Sequence, residues 1–132
     1  MARHNEIGLF GEIIAAQWLE DRGHRIIERN YREKWGEIDI VSRETSGRTH
    51  FVEVKTVSYE TVSDLRYAVS HETWRPEEMV HASKQKRLKR VIETWLAGNP
   101  EYNEWQIDVI AVRAVPREKF ATIRYLENVI FE

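Results

Sequence analysis

The chain has 132 residues, 20 Lys plus Arg against 22 Asp plus Glu, a formal charge of −2 and no cysteine. That near balance excludes a wholly basic DNA-coating protein while leaving room for a local basic patch, and zero cysteines exclude a disulfide scaffold, a thiolate metal site and a cysteine nucleophile. At this length one domain over 1–132 is expected; no apolar run approaches a membrane span or a signal core, and a cytoplasmic protein is expected.

Asn5 reads as an N-cap and Gly23 as a stop, which predicts a helix over 6–22 with Ile7, Phe10, Ile14 and Trp18 on its core face. A short strand follows over 24–29. Two more are expected at 36–43 and 49–56, joined as a hairpin by the turn Thr45-Ser46-Gly47. Residues 57–76 are polar and aperiodic and read as a long loop with room for one helical turn. A second helix is expected over 77–97, after Pro76 and before Gly98, with Val80, Leu88, Val91, Ile92 and Trp95 as its apolar stripe. The last strands are expected at 105–113 and 120–126. Helix, three strands, helix, two strands makes an α/β or α+β domain: one mixed sheet with helices packed on it.

The chemistry concentrates in Gly36-Glu37-Ile38-Asp39-Ile40 and Phe51-Val52-Glu53-Val54-Lys55. Side chains alternate along a strand, so Glu53 and Lys55 share one face and Val52 and Val54 the other. A hairpin centred on Ser46 sets Asp39 opposite Glu53 and Val41 opposite Phe51, with facing Cβ atoms about 5 Å apart. Two carboxylates that close repel unless a cation sits between them. Oxygen-only ligands point to a hard ion, Mg²⁺ or Mn²⁺, and Lys55 places an ammonium beside it. A metal that polarises a phosphate and activates water, with a lysine near the attacking oxygen, suits phosphodiester hydrolysis. The plain alternative is a surface ion-pair ladder. Phe51 and Val41 on the charged face, and valines on the other, argue instead for a central strand buried on both sides.

Two helical residues extend the set. Glu12 falls among Gly8, Ala15, Ala16 and Leu19 on the first helix; it is either aimed at the acid pair or a boundary glutamate. Lys84 falls inside the apolar stripe of the second helix; it either snorkels to solvent or reaches the charged face. With Lys86, Arg87, Lys89 and Arg90 it makes five basic residues and no acid between His81 and Arg90. That face suits phosphate contact, or is simply solvated.

Gly11-Glu12 with Ala15-Ala16, GEID at 36–39, VEVK at 52–55 and Lys84-Gln85 before a basic helix resemble the YraN family of small bacterial proteins. The core of that family is similar to the PD-(D/E)xK nuclease superfamily, and within it to archaeal Holliday junction resolvases. The resemblance runs from Gly8 to Leu126-Glu127-Asn128. It implies a restriction-endonuclease-like α/β core, a mixed central sheet of about five strands flanked by helices. It implies Glu12 as an acid assisting metal binding, Asp39 as a metal ligand, Glu53 and Lys55 as the (D/E)xK pair, and Lys84-Gln85 as the marked start of the second helix. Two departures stand out: Gln106-Ile107-Asp108 replaces the family's Arg-x-Asp, and 57–76 is longer than the family's loop.

The resulting expectation is a Mg²⁺- or Mn²⁺-dependent endonuclease acting on DNA, branched or single-stranded. Catalytic residues would be Glu12, Asp39, Glu53 and Lys55, with nucleic-acid contacts from Lys84, Gln85, Lys86, Arg87, Lys89 and Arg90. The alternative is a nucleic-acid- or partner-binding module that keeps the fold without turnover. Resolvase-like relatives work as dimers, and five tryptophans leave room for an apolar interface, so a homodimer is expected by analogy.

Overall fold

A computed structural model describes residues 2–71 and 82–129. The elements are α1 (Ala2–Asp21), β1 (Arg25–Glu33), β2 (Gly36–Arg43), β3 (Thr49–Ser58), α2 (Val62–His71), α3 (Ala82–Gly98), β4 (Trp105–Val115) and β5 (Phe120–Leu126). A 3₁₀ turn, Pro116–Glu118, joins the last two strands.

The five strands form one sheet in the order β1-β2-β3-β4-β5. Every pair is antiparallel except β3–β4. A parallel pair needs a crossover, and the segment carrying α2 and α3 supplies it. The result is the expected α/β core, a mixed sheet of five strands flanked by helices.

Each face of the sheet carries its own core. On one side Ala15, Ala16 and Leu19 of α1 pack on Ile40, Val52, Val54, Ile110, Val112 and Ala114. On the other, Leu88, Val91, Ile92 and Trp95 of α3 pack with Ile38, Val41, Phe51 and Ile107. Residues 49–54 of β3 are all buried, as a strand covered on both faces must be.

Several sequence expectations need correction. α1 starts at Ala2, so Asn5 lies inside the helix and is no cap; one Asn costs a helix only a few tenths of a kcal/mol, roughly. Its most buried face is Ala15, Ala16 and Leu19, while Phe10, Ile14 and Trp18 pack at the margin. Gly23 does end it. Gly23 adopts φ +92°, its N–H donates to the Glu20 carbonyl at 3.0 Å, and that of His24 donates to Leu19 at 3.0 Å, a Schellman closure.

β1 runs to Glu33, past a bulge between Ile26 and Glu28. Part of the expected 57–76 loop is the ten-residue helix α2; residues 72–76 lie outside the described residues, as do Val80 and the expected helical start at 77–81. No helix among the described residues is long and apolar enough to cross a membrane.

Candidate active site

The site is built on the β2–β3 hairpin. Its ladder pairs Arg43 with Thr49, Ser42 with His50, Val41 with Phe51 and Ile40 with Val52, the register read from the turn. One step further that register sets Asp39 against Glu53. There the Asp39 side chain itself takes over, and its Oδ2 accepts the Val54 backbone N–H at 2.8 Å. Asp39 is 5% exposed and Glu53 4%.

Two ammonium groups answer these charges. Lys55 Nζ stands 3.5 Å from Glu53 Oε1, and Lys84 Nζ reaches the same oxygen from the first turn of α3. Lys84 therefore turns inward to the acid pair, one of the two readings its helix position allowed. Glu12 rises from the α1 side. Its carboxylate lies in the fields of Glu37 and Glu53, and its Oε1 is buried with no hydrogen-bond partner.

The electrostatics follow from this crowding. Burial pushes the Asp39 carboxyl well above the usual carboxylate range, and the Glu53 charge adds to it against the Val54 N–H. Glu12 is also raised, by burial first; a hydrogen bond with Asn30 opposes this and the Glu37 charge reinforces it. Burial and then neighbouring Lys84 hold Lys55 below an ordinary lysine, against the pull of Glu53. Lys84 goes the other way, because the charge and hydrogen bond of Glu53 outweigh its burial. The two lysines thus divide the work: Lys84 holds its proton on Glu53, and Lys55 is the readier to release one.

Three carboxylates from α1, β2 and β3 are oxygen-only donors of the kind Mg²⁺ and Mn²⁺ take. One Glu12 oxygen is buried without a hydrogen-bond partner and Asp39 is raised by burial and by the Glu53 charge. The donor chemistry therefore suits a hard divalent cation, while the three carboxylates are not gathered to within 4.8 Å of one another. Asp39 and Glu53 would hold it, with Glu12 assisting. Lys84 stands on one of the oxygens the ion would use.

A narrow cleft between the start of β2 and α3 opens above Glu53, lined by Gly36, Glu37, Lys84, Arg87 and Leu88. Lys86, Arg87, Lys89 and Arg90 are exposed along α3, with Gln85 half-buried beside Lys84. Arg90 lies 4.3 Å over the Trp35 ring, so it also covers an aromatic side chain.

Sequence reasoning missed a second polar cluster. His50 bridges Asp108 and Glu44, Gln106 Nε2 donates to Asp108 Oδ1 at 2.8 Å, and Tyr125 OH donates to Asp108 Oδ2 at 2.5 Å. The signal was present: His50, Gln106 and Asp108 are polar residues inside strands that otherwise read as core. Gln106 serves to hold Asp108.

Residues 11–112 match the model of the family described as "Uncharacterised protein family UPF0102". A UPF0102 protein of Beutenbergia cavernae is 38% identical over 131 residues, 98% of this chain and 99% of that protein. One from Treponema pallidum (strain Nichols) is 39% identical over 119 residues, 88% of this chain and 85% of its own. One from Mycobacterium tuberculosis is 35% identical over 121 residues, 89% and 84%. A solved structure, Pyrococcus furiosus SfsA in complex with Ca²⁺, matches with a TM-score of 0.29 at 19% identity, over 89% of this chain and 60% of SfsA, so the chain spans about six tenths of that protein's length. With one family model across most of the chain and relatives matched nearly end to end, this chain belongs to the UPF0102 family, the YraN family that its motifs resemble.

Proposed function

We propose that the chain is a divalent-metal-dependent nuclease that hydrolyses phosphodiesters of DNA, branched or single-stranded. The observation that carries this reading is the buried Asp39–Glu53 pair with two lysines on Glu53, at the inner end of a basic helix. An acid pair kept buried is costly to folding, and its chemistry gives it a reason.

Bound Mg²⁺ or Mn²⁺ would supply positive charge to the phosphate and a more acidic water. Asp39 and Glu53 would hold the ion, and the Val54 N–H fixes the rotation of the Asp39 carboxylate. Glu12 offers an oxygen that has no other partner. Lys55, held low, accepts a proton from the attacking water or donates a hydrogen bond to the phosphate. Lys84 balances Glu53 while the cation is away. Arg87, at the mouth of the cleft, and Lys86 and Lys89 beside it on α3 would contact flanking phosphates.

A second reading has one observation in its favour. Lys84 on Glu53 already neutralises the acid, as expected of a DNA-binding module that kept the fold without turnover.

The test is a screen of the purified protein against linear, flapped, single-stranded and four-way DNA with Mn²⁺, alongside Glu53→Gln and Lys55→Ala. Both variants should keep the wild-type circular dichroism. Glu53→Gln should lose metal binding and cleavage together. Lys55→Ala should bind metal and cleave about 10² to 10³ slower. Cleavage by neither wild type nor variants, with DNA binding retained, installs the binding module instead.

A further inference from the structure

On the opposite face of the sheet from Glu53 lies a second constellation. His50 has the same parity on β3 as Val52, which packs under α1. Its ring is 1% exposed and both nitrogens are engaged: Nδ1 is 2.5 Å from Asp108 Oδ2, and Nε2 is 2.5 Å from Glu44 Oε2. The His24 ring stands edge-on to His50, centroids 4.6 Å apart, with its Nδ1 2.9 Å from Ser42 Oγ. One ligand atom each from His24, Glu44 and His50 lie within 4.8 Å of one another.

What sets this apart from a chance ion pair is the support behind His50. Asp108 is fully buried and accepts from four donors: His50 Nδ1, Tyr125 OH, Gln106 Nε2 and the Asn128 backbone N–H. Those bonds fix the carboxylate, and the carboxylate fixes the ring, leaving Nε2 turned toward Glu44. A carboxylate behind one nitrogen and a ligand position in front of the other is how metal-binding imidazoles are oriented. Ser42 does for one nitrogen of His24 what Asp108 does for His50.

We propose that His24, Glu44 and His50 form a binding site for a first-row transition-metal cation of the Zn²⁺ class, oriented from behind by Asp108 and distinct from the Asp39–Glu53 site. Two imidazoles and one carboxylate select such an ion over Mg²⁺ or Ca²⁺, which prefer oxygen. Three protein ligands leave a position for water or an anion. Glu44 is 40% exposed at its side chain, which provides the entry path. The ion takes the place of the proton between His50 Nε2 and Glu44, and two nearby carboxylates, Glu44 and Asp108, offset its charge. It would add a side-chain tie between the segment after α1, the hairpin turn and β3, beside the ladder pairs Arg25–Arg43 and Ser42–His50 that already join their strands.

The test is calorimetric titration of metal-stripped protein with Zn²⁺, and with Co²⁺ followed by visible absorption. Glu53→Gln serves as the background, so that the carboxylate site does not contribute. The expected result is one Zn²⁺ per chain, a tetrahedral or five-coordinate Co²⁺ spectrum, and a rise in Tm with added Zn²⁺. His24→Ala and Glu44→Gln should each weaken Zn²⁺ by tenfold or more and remove the Tm rise. Neither residue is fully buried, so both variants are expected to keep the wild-type circular dichroism. Zn²⁺ binding that survives both substitutions unchanged, or no binding in the background protein, overturns the proposal and leaves His50 as an imidazolium bridging two carboxylates.

Discussion

The Val54 N–H donates to Asp39 Oδ2 at 2.8 Å, where the backbone ladder between their strands gives way to a side chain. One carboxylate oxygen thus replaces a carbonyl as the partner of a β3 amide, and the geometry of the site is tied to the geometry of the sheet. The bond does not repay burial of the charge, since Asp39 stays well above the ordinary carboxylate range. An acid whose folded value is raised stabilises the fold below its unfolded value and loses that contribution as pH rises through the folded one. Asparagine keeps the acceptor without the charge. In chelator at neutral pH, Asp39→Asn should therefore gain about 0.5–2 kcal/mol, read as a higher Tm. The gain should shrink as pH falls toward the usual carboxylate range. A lower Tm at neutral pH would mean that the two lysines already compensate the ionised acid.

Lys84 occupies Glu53 Oε1, so under the proposed function a divalent cation would have to compete with it for that oxygen. Lys84→Gln should bind Mn²⁺ several-fold more tightly by calorimetry. It also removes a positive neighbour that holds Lys55 low, so Lys55 should titrate at higher pH. If the variant cleaves, the acidic limb of its pH–rate profile should move upward. Unchanged Mn²⁺ affinity would show that Lys84 moves aside without cost.

The hairpin was legible because its turn residues and its period-2 pattern agree on one register, and a one-residue slip would have turned Val52 and Val54 into the charged face. Asp39, Glu53 and Lys55 followed from that register alone. α2 was not legible as a pattern because it buries a single residue, Leu65. Its start was marked all the same: Thr61 Oγ1 accepts the Asp64 N–H at 3.0 Å, a cap that Thr61 and Asp64 spell out. The second half of β1, Arg29 to Glu33, is polar because the strand is at the sheet's edge and none of its residues is fully buried. The His50 cluster draws on residues from His24 to Asn128, joined only by folding.

The basic face of α3 separates into two kinds of residue. Arg90 packs over Trp35; Lys86 and Arg87 point to solvent. Replacing Lys86, Arg87 and Lys89 with Gln should weaken DNA binding and lower the log–log salt slope by roughly 0.7–0.9 per lost phosphate contact. Arg90→Gln should in addition cost about 0.5–1 kcal/mol of stability. An unchanged salt slope in the triple variant would assign this face to solvent.

Gly11 marks how closely α1 approaches β3. A Cβ at that position would stand 1.8 Å from Thr56 Oγ1 and 2.8 Å from Thr56 Cβ, whereas one at Gly8 would meet nothing within 4 Å. Both glycines sit in the same helix, so alanine improves helix propensity equally at each. The two substitutions should nevertheless have opposite signs. Gly8→Ala should stabilise by about 0.5–1 kcal/mol. Gly11→Ala must push α1 off the sheet or distort β3, at about 1–3 kcal/mol for overpacking. The displaced helix also carries Glu12, one residue on, and Thr56 follows Lys55. Gly11→Ala should therefore weaken Mn²⁺ binding as well as lower Tm, while Gly8→Ala leaves Mn²⁺ binding alone. Equal stabilisation by both would show that the helix has slack against β3, and that the position of Glu12 is not set by this contact.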